Sequence, residues 1–356
     1  MKAFCAVAVV VALLLTAPAF AADTAKFHKT YDEAQKLAVK QNKPLYLHFT
    51  TDWCGWCRKI EEEVYTDAKV KAVMDGFVCV SLDCTVPEGE EPAGEVKKNL
   101  ALLEKYGGSG YPYLVMTAAD GSMLNIVEGY MPPKEFVPQL ERSKTIFKEY
   151  NDFTAFAKTA DKSSFDYNAK AMSVFAKLQK NDEAAKAAAS VLKLDPKDEH
   201  GQHAAAKLVL LQQAQQARDE KKTAALLEDI RKLDKDNAKG ILEKATLAEA
   251  ARQMQLANEA RSPKLLRVAA SLLSDLAERA KKLQNPTQVY GMLAYANAVL
   301  GDYDAAIAAC EKVIAADPKG PAVERVKAMI AQLKEAQAAT QTASEPASEP
   351  ASEPAE

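Results

Sequence analysis

Short apolar runs separated by polar segments fill the first 150 residues of the chain. The runs have the length of strands and are rich in β-branched and aromatic residues. Between them, apolar residues recur at helical spacing, as in 30–43 (TYDEAQKLAVKQNK). The pattern predicts an α/β region that ends in a hairpin at Asp120-Gly121 and a helix starting near Pro133. The strand-like runs are 44–51 (PLYLHFTT), 77–83 (FVCVSLD), 113–121 (YLVMTAADG) and 122–130 (SMLNIVEGY).

Beyond residue 150, apolar residues recur at helical spacing among Ala, Lys, Glu, Gln and Asp, which predicts an all-α region over 149–335. The segment 290–321 (YGMLAYANAVLGDYDAAIAACEKVIAADPKGP) resembles a tetratricopeptide (TPR) repeat, and 181–198 and 226–237 resemble its second helix more weakly. We therefore expect an irregular TPR-like array of helical hairpins. Such stacks form concave surfaces that bind peptides or proteins, although this array could instead cap the α/β region or dimerise it.

The two ends of the chain differ from both regions. Met1 and Lys2 precede an apolar run, and Ala19-Phe20-Ala21 is typical of a signal-peptidase site. The pattern predicts a signal peptide over 1–21 and an exported, periplasmic protein, with an uncleaved anchor as the alternative. The region 336–356 ends in a repeated Ser-Glu-Pro-Ala unit that cannot bury a core, which predicts a disordered low-complexity tail.

Composition adds two limits to this picture. The chain has 356 residues, enough for about two domains at the usual size. Its net charge is −3, and acidic and basic residues are interspersed without a Lys/Arg cluster among aromatics. We therefore expect no nucleic-acid surface.

The stretch 49–64 (FTTDWCGWCRKIEEEV) carries the candidate chemistry. Two residues between cysteines at a helix start allow both sulfurs to meet within the first turn and to form a reversible disulfide. The positive end of the helix dipole favours thiolate at Cys54. We therefore predict Cys54 as the nucleophile and Cys57, one turn further in, as the resolving thiol.

Other interpretations of these cysteines use different partners. A zinc site would add Cys79 and Cys84, but the two lie on opposite parity along a strand and should not converge. Haem attachment is excluded because Arg58 stands where that motif requires His. A structural disulfide contributes little in so short a loop. We expect Cys79 and Cys310 to be core residues and leave Cys84 open, since it could bridge to Cys79 or form a mixed disulfide.

The order strand, WCxxC, helix, strand, helix, Tyr111-Pro112, hairpin and helix resembles a thioredoxin fold. With Val64-Tyr65-Thr66-Asp67-Ala68-Lys69-Val70 after the cysteines, residues 22–148 are especially similar to exported thioredoxin-like domains, including that of the periplasmic electron-transporter family. The fold class expected is an α/β thioredoxin-like domain followed by an all-α TPR-like array.

The resemblance also implies roles for individual residues. Pro112 would be the cis-proline that exposes the backbone of Tyr111 for pairing with an extended substrate. His48 stands six residues before Cys54, where the family often has a buried acid, so it could accept the proton of the resolving thiol or be a satisfied core histidine. Trp53 and Trp56 would form a peptide platform or pack in the core.

Two functions of different classes follow from these patterns. The first is an exported thiol-disulfide oxidoreductase, a reductase or isomerase, with the Cys54-Cys57 disulfide as its redox group and no other cofactor or metal. The resemblance to the reducing branch predicts protein disulfides as substrates and a membrane electron donor, and the TPR-like array is expected to select or hold the client. The second is a binding or assembly scaffold with a non-catalytic thioredoxin fold.

Overall fold

A computed structural model describes residues 26–344. The chain divides between Thr154 and Ala155 into two compact units, which are described separately. The predicted signal peptide, 1–21, and residues 345–356 lie outside the described part of the chain. No helix within residues 26–344 has both the length and the apolar character needed to cross a membrane.

The first unit is built on a five-stranded sheet with the order β1-β3-β2-β4-β5. Strand β3 runs parallel to β1 and β2, whereas β4 runs antiparallel to β2 and β5. The sequence pattern missed β1, which has only two residues. The strands are β1 Phe27–His28, β2 Leu45–Thr50, β3 Val78–Asp83, β4 Tyr113–Thr117 and β5 Met123–Glu128.

Strand β2 lies at the centre of the sheet and is covered on both faces, as its continuous apolar pattern predicts. Leu45, Leu47 and Phe49 pack in a core with α1 (Tyr31–Gln41) and α4 (Gly94–Lys105). On the other face, the Tyr46 ring packs edge-on against Tyr65 and Phe136. Alternate residues of one strand therefore serve two separate cores.

The segment after the cysteines is broken into three pieces, where the pattern predicts one helix. These are α2 (Gly55–Lys59), a π-helical turn (Ile60–Val64) and α3 (Ala68–Met74). The third piece starts because the Asp67 carboxylate accepts hydrogen bonds from the backbone N–H groups of Lys69 and Val70. The interruption follows directly after the two cysteines. Short π-helical turns are frequent at functional sites, so its position agrees with a site at these cysteines.

The boundary between the units differs from the predicted one. Helix α5 (Pro133–Phe156) begins where expected but continues past residue 148. It buries Phe136, Leu140 and Ile146 in the first unit. The change of sequence texture near residue 150 thus lies inside a helix, which has buried apolar residues as far as Phe153.

The second unit is entirely helical, as predicted. Consecutive helices pack as antiparallel hairpins, and α12 with α13 forms the predicted repeat with Gly301 in the left-handed turn between them. Cys310 is fully buried in its core, as expected. The helices are α6 Phe165–Lys177, α7 Asn181–Leu194, α8 His203–Gln216, α9 Glu220–Leu233, α10 Ile241–Ala260, α11 Pro263–Arg279, α12 Pro286–Leu300, α13 Tyr303–Ala316 and α14 Val323–Ser344.

Helix α14 corrects the predicted start of the tail. It runs from Val323 to Ser344, past the expected boundary at Ala336. The residues that extend it are mostly Ala, Gln and Thr, without Gly or Pro until the repeated acidic unit begins. Alanine and glutamine favour helix, so the propensity of this stretch outweighs its low complexity.

Candidate active site around the Cys54–Cys57 disulfide

Cys54 and Cys57 form a disulfide with 5.3 Å between their Cα atoms. Cys54 is the N-cap of α2, and its sulfur accepts a hydrogen bond from the backbone N–H of Cys57 at 3.1 Å. The backbone N–H of Cys54 in turn donates to the carbonyl of Thr51, at the end of β2. Both sulfurs are therefore held where a central strand meets the positive end of a helix, as the spacing predicts.

Burial distinguishes the two cysteines only slightly. The exposed fraction is 4% for Cys54 and 1% for Cys57, the inner residue. The Arg58 guanidinium donates to the backbone carbonyl of Asp52 at 2.7 Å, which ties α2 to the turn before Cys54. The fixed N–H donor and the nearby cation both favour a thiolate at Cys54 when the disulfide opens.

The two tryptophans flank the disulfide on the surface, which excludes their core-packing alternative. Trp53 is 66% exposed and Trp56 is 57% exposed. Trp53 packs edge-on against Tyr111 with ring centroids 5.7 Å apart. Two flat apolar surfaces thus adjoin an otherwise buried pair of sulfurs.

A second aromatic contact lies beside Trp56. Its ring lies 5.7 Å from that of Tyr130, and the Lys59 ammonium lies 5.2 Å and 5.0 Å from the two ring centroids. The Tyr130 hydroxyl donates to Glu63 at 2.7 Å. Sequence reasoning missed Tyr130, because it follows β5 and only the folded chain brings it beside α2.

The Tyr111–Pro112 peptide bond is cis, as the resemblance implied. The carbonyl of Pro112 accepts a hydrogen bond from Gly129, which continues the pairing of β4 with β5. The Tyr111 ring reaches Trp53, so the loop before β4 and the turn before α2 meet at one edge of the sheet.

His48 lies in β2 with 1% of its surface exposed, on the face shared with Tyr65. Burial lowers the pKa of its imidazole to about 4. Its Nε2 is buried and, among the described residues, has no hydrogen-bond partner. His48 is therefore a neutral imidazole at neutral pH, with one ring nitrogen that no described residue pairs.

Glu61 faces this imidazole and was missed by sequence reasoning. Its Oε1 lies 3.9 Å from His48 Nδ1, and the carboxylate side chain is 51% exposed. Partial burial raises the pKa of Glu61, and Glu62 adds to the effect. Glu61 follows Cys57 by four residues, a spacing that returns to the same helical face and could have identified it.

The remaining cysteines near the sheet lie on its opposite faces. Cys84 joins the core with α1 and α4, whereas Cys79 is excluded from that core and lies beside Tyr46 in the pairing of β2 with β3. Burial raises the pKa of Cys79 to about 12 and that of Cys84 to about 11. Because the two thiols lie on opposite faces of the sheet, they cannot form a Cys79–Cys84 bridge. For the same reason they cannot bind one zinc ion together, as the zinc alternative requires.

Comparison with known proteins gives matches to two parts of the chain. Residues 31–144 match the model of a thioredoxin-like domain, and residues 287–319 match that of a tetratricopeptide repeat. Over 113 residues the chain is 28% identical to the thiol:disulfide interchange protein DsbD of Ralstonia nicotianae, which covers 32% of this chain and 17% of that protein.

Two further likenesses concern DsbH proteins. The chain is 30% identical over 98 residues to the disulfide bond reductase DsbH of Chlamydia pneumoniae, covering 27% of this chain and 58% of that protein. A solved structure of a DsbH oxidoreductase is 25% identical, covers 36% of this chain and 91% of its own, and has a TM-score of 0.32. The chain thus spans less than two thirds of the length of both curated relatives.

The thioredoxin-like match coincides with the unit that contains the disulfide, and the repeat match coincides with α12 and α13. Residues 31–144 are therefore a thioredoxin-like domain with a CxxC disulfide, similar to the Dsb thiol:disulfide proteins, and a mostly helical region with a tetratricopeptide repeat follows it.

Proposed function

We propose that this protein is an exported thiol-disulfide oxidoreductase of the reducing branch, which acts on protein disulfides through its CGWC dithiol. The observation that carries the proposal is the placement of Cys54 Sγ. It caps the N-terminus of α2, accepts the N–H of Cys57, and lies between two exposed tryptophans. A sulfur in this environment is a good nucleophile and a good leaving group.

The reaction starts from the reduced pair. The Cys54 thiolate attacks one sulfur of a client disulfide, forms a mixed disulfide and releases the other client sulfur as a thiolate. Cys57 then loses its proton and attacks Cys54 Sγ, which forms the Cys54–Cys57 disulfide and releases the second client thiolate. The client gains two electrons and the enzyme loses two, so a dithiol donor must reduce the enzyme again.

His48 and Glu61 are the groups we assign to the proton of Cys57. The neutral imidazole can accept a proton, and burial opposes the resulting charge. The Glu61 carboxylate, 3.9 Å from Nδ1, stabilises the imidazolium and is exposed enough to exchange the proton with water.

The surface around the disulfide suits an extended polypeptide. Trp53 precedes Cys54, and its ring packs against Tyr111, the residue before the cis bond at Pro112. Backbone pairing at Tyr111 and apolar contact with the rings would hold a client segment across Cys54. We further propose that the protein is exported to the periplasm. A membrane-bound dithiol donor would then reduce its disulfide after each reaction, as a reductase requires.

The helical region is assigned to client binding. A cavity of about 510 Å³ lies in the second unit and is lined mostly by amide side chains. Amides both donate and accept hydrogen bonds, which matches the alternating groups of a polypeptide backbone. The lining residues are Ala176, Gln179, Asn181, Gln212, Gln215, Gln216 and Arg252.

The test is to trap the mixed disulfide. In the Cys57→Ser variant, the second step cannot occur, so Cys54 should remain bonded to a client such as insulin and the adduct should appear on a non-reducing gel. The Cys54→Ser variant and the double variant are the matched controls and should trap nothing. If Cys57→Ser also traps nothing, the scaffold function becomes the better interpretation.

A further inference from the structure

An acidic loop follows β3 at the edge of the sheet that carries the disulfide. This segment, 83–91 (DCTVPEGEE), contains four acidic residues and no lysine or arginine, whereas the whole chain is nearly balanced, with 49 acidic and 46 basic residues. All four carboxylates are exposed. Within residues 26–344, none of them forms an ion pair with a lysine or arginine. The four residues are Asp83, Glu88, Glu90 and Glu91.

Hydrogen bonds join the acidic loop to the turn before the disulfide. The Thr85 hydroxyl accepts the backbone N–H of Asp52 at 2.9 Å and donates to the Asp83 carboxylate at 2.6 Å. The Asn99 amide donates to the backbone carbonyl of Asp83 at 2.7 Å, which fixes the start of the loop. Glu88 follows Thr85 by three residues, so their Cα atoms are at most about 11 Å apart. Asp52, itself exposed, adds a fifth carboxylate to this surface.

The indole of Trp53 is the apolar part of the same surface. It directly follows Asp52 and is 66% exposed. An aromatic ring attracts a cation placed over its face, and Trp56 already has one, the Lys59 ammonium at 5.2 Å from its centroid. No lysine or arginine of the described chain occupies the corresponding place at Trp53. Trp53 thus offers its ring to a cation from outside.

Arg58 is the basic residue that contacts this turn. Its guanidinium donates to the backbone carbonyl of Asp52, not to a carboxylate of the acidic loop. One positive charge therefore faces five carboxylates. Exposed charges act over about 8 Å at physiological ionic strength, so this excess of negative charge is felt by a polypeptide that lies across the site.

We propose that Trp53 and the acidic loop receive a lysine or arginine side chain next to the client's cysteine, so that the protein prefers polypeptide disulfides flanked by basic residues. The inference rests on the proposed function. A lysine or arginine can lay its apolar stem along the indole while its charge stays near the carboxylates. An acidic side chain in the same place would be repelled.

The experiment uses two peptides of equal length, each closed by one disulfide and differing only in the residues beside the cysteines, which are lysine in one and glutamate in the other. The second-order rate constant for their reduction by the reduced full chain is measured by acid quenching and chromatography. Each rate is divided by that with dithiothreitol, which removes differences in intrinsic reactivity. The uncharged bis(2-hydroxyethyl) disulfide serves as a third substrate.

Three variants separate the acidic loop from overall charge. The first replaces its three glutamates by glutamine and so keeps their size. The second, the matched control, replaces three exposed glutamates of the helical unit that form no ion pair with a described lysine or arginine. The third, Trp53→Leu, keeps an apolar side chain without the aromatic ring. The first two are Glu88→Gln/Glu90→Gln/Glu91→Gln and Glu259→Gln/Glu311→Gln/Glu335→Gln.

We expect wild-type protein to reduce the lysine-flanked peptide about tenfold faster than the glutamate-flanked one at low salt, and about two- to threefold faster at about 0.5 M salt. The loop variant should lower the low-salt preference about threefold, and Trp53→Leu about two- to threefold. The control variant should keep the wild-type preference. The rate with the uncharged disulfide should stay within about twofold of wild type in all three variants.

Three results would overturn the inference. They are equal reduction of the two peptides by wild-type protein, a loop variant that keeps the full preference, and a control variant that loses as much as the loop variant. In each of these cases the uncharged disulfide is still reduced, so the proposed function stands. If wild-type protein reduces neither peptide nor the uncharged disulfide, the proposed function itself fails.

Discussion

The imidazole of His48 is the buried group with the clearest effect on pH dependence. Its folded-state pKa of about 4 lies below the ordinary value of 6.5, because burial disfavours the charged form. At a pH between these two pKa values, the unfolded chain binds a proton at this imidazole and the folded chain does not. The stability from this group is therefore complete above pH 6.5 and is lost as the pH falls toward 4. The groups facing it are Glu61 and Tyr65.

We predict that His48→Leu removes this part of the pH dependence. The shift corresponds to about 3 kcal/mol of unfolding free energy at most. Urea unfolding of the oxidised protein at about pH 7.5 and about pH 4.5, followed by tryptophan fluorescence, measures the difference. His28→Leu, a partly buried histidine of β1, is the matched control and should keep the wild-type difference. An unchanged difference in His48→Leu would show that this histidine is not buried neutral.

At the residue scale, spacing predicted Cys54 and Cys57 as the reactive pair, and the resemblance to a thioredoxin fold added His48 and Pro112. Neither located partners that come from distant elements. Tyr130 follows β5 and reaches Trp56 only through the fold, and Tyr111 packs against the core that contains Cys84. Such contacts depend on how strands are ordered in the sheet, and periodicity within one segment gives no information about that order.

At the scale of elements, the stretch after the cysteines shows what periodicity can and cannot give. Ile60 and Val64 share one face, but Val70 follows Val64 by six residues, which in a continuous α-helix turns it to another face. The observed π-helical turn and the new start at Asp67 bring all three residues into the core. The prediction of one helix overlooked this change of phase, and Asp67 marks where the break lies.

The turn between α9 and α10 depends on one buried carboxylate. Asp234 is 3% exposed and accepts the backbone N–H groups of Lys239, Ile241 and Leu242 at 2.8, 2.8 and 3.1 Å. These bonds satisfy the first donors of α10 and connect it to the end of α9. Asp195 accepts two backbone N–H groups in the corresponding turn before α8.

We predict that Asp234→Ala lowers the free energy of unfolding of the helical unit by about 2–4 kcal/mol, since it leaves buried N–H donors without their acceptor. Asp302→Ala, which removes one exposed N-cap bond of α13, is the control and should cost about 1 kcal/mol. Denaturant titration followed by far-ultraviolet circular dichroism measures both. Equal losses would mean that the turn does not hold the hairpins together.

At the scale of the whole molecule, composition and the spacing of apolar residues separated an α/β region from an all-helical one. The boundary was wrong by a few residues, because α5 carries apolar positions for the first unit up to Phe153. The tail was placed too early, because Ala-rich sequence after Ala336 forms helix through Ser344. Boundaries of this kind follow side-chain packing and helix propensity rather than a change in composition.

The most direct test of the central claim is the redox equilibrium of the full chain against a glutathione series. Trp53 and Trp56, the two tryptophans of the chain, report the state by fluorescence, and thiol alkylation with mass spectrometry identifies the cysteines that change. We predict one reversible transition, confined to Cys54 and Cys57, near the thioredoxin value of about −270 mV. A transition near about −120 mV would contradict a reductase, and the absence of any transition at these two cysteines would contradict the redox function altogether.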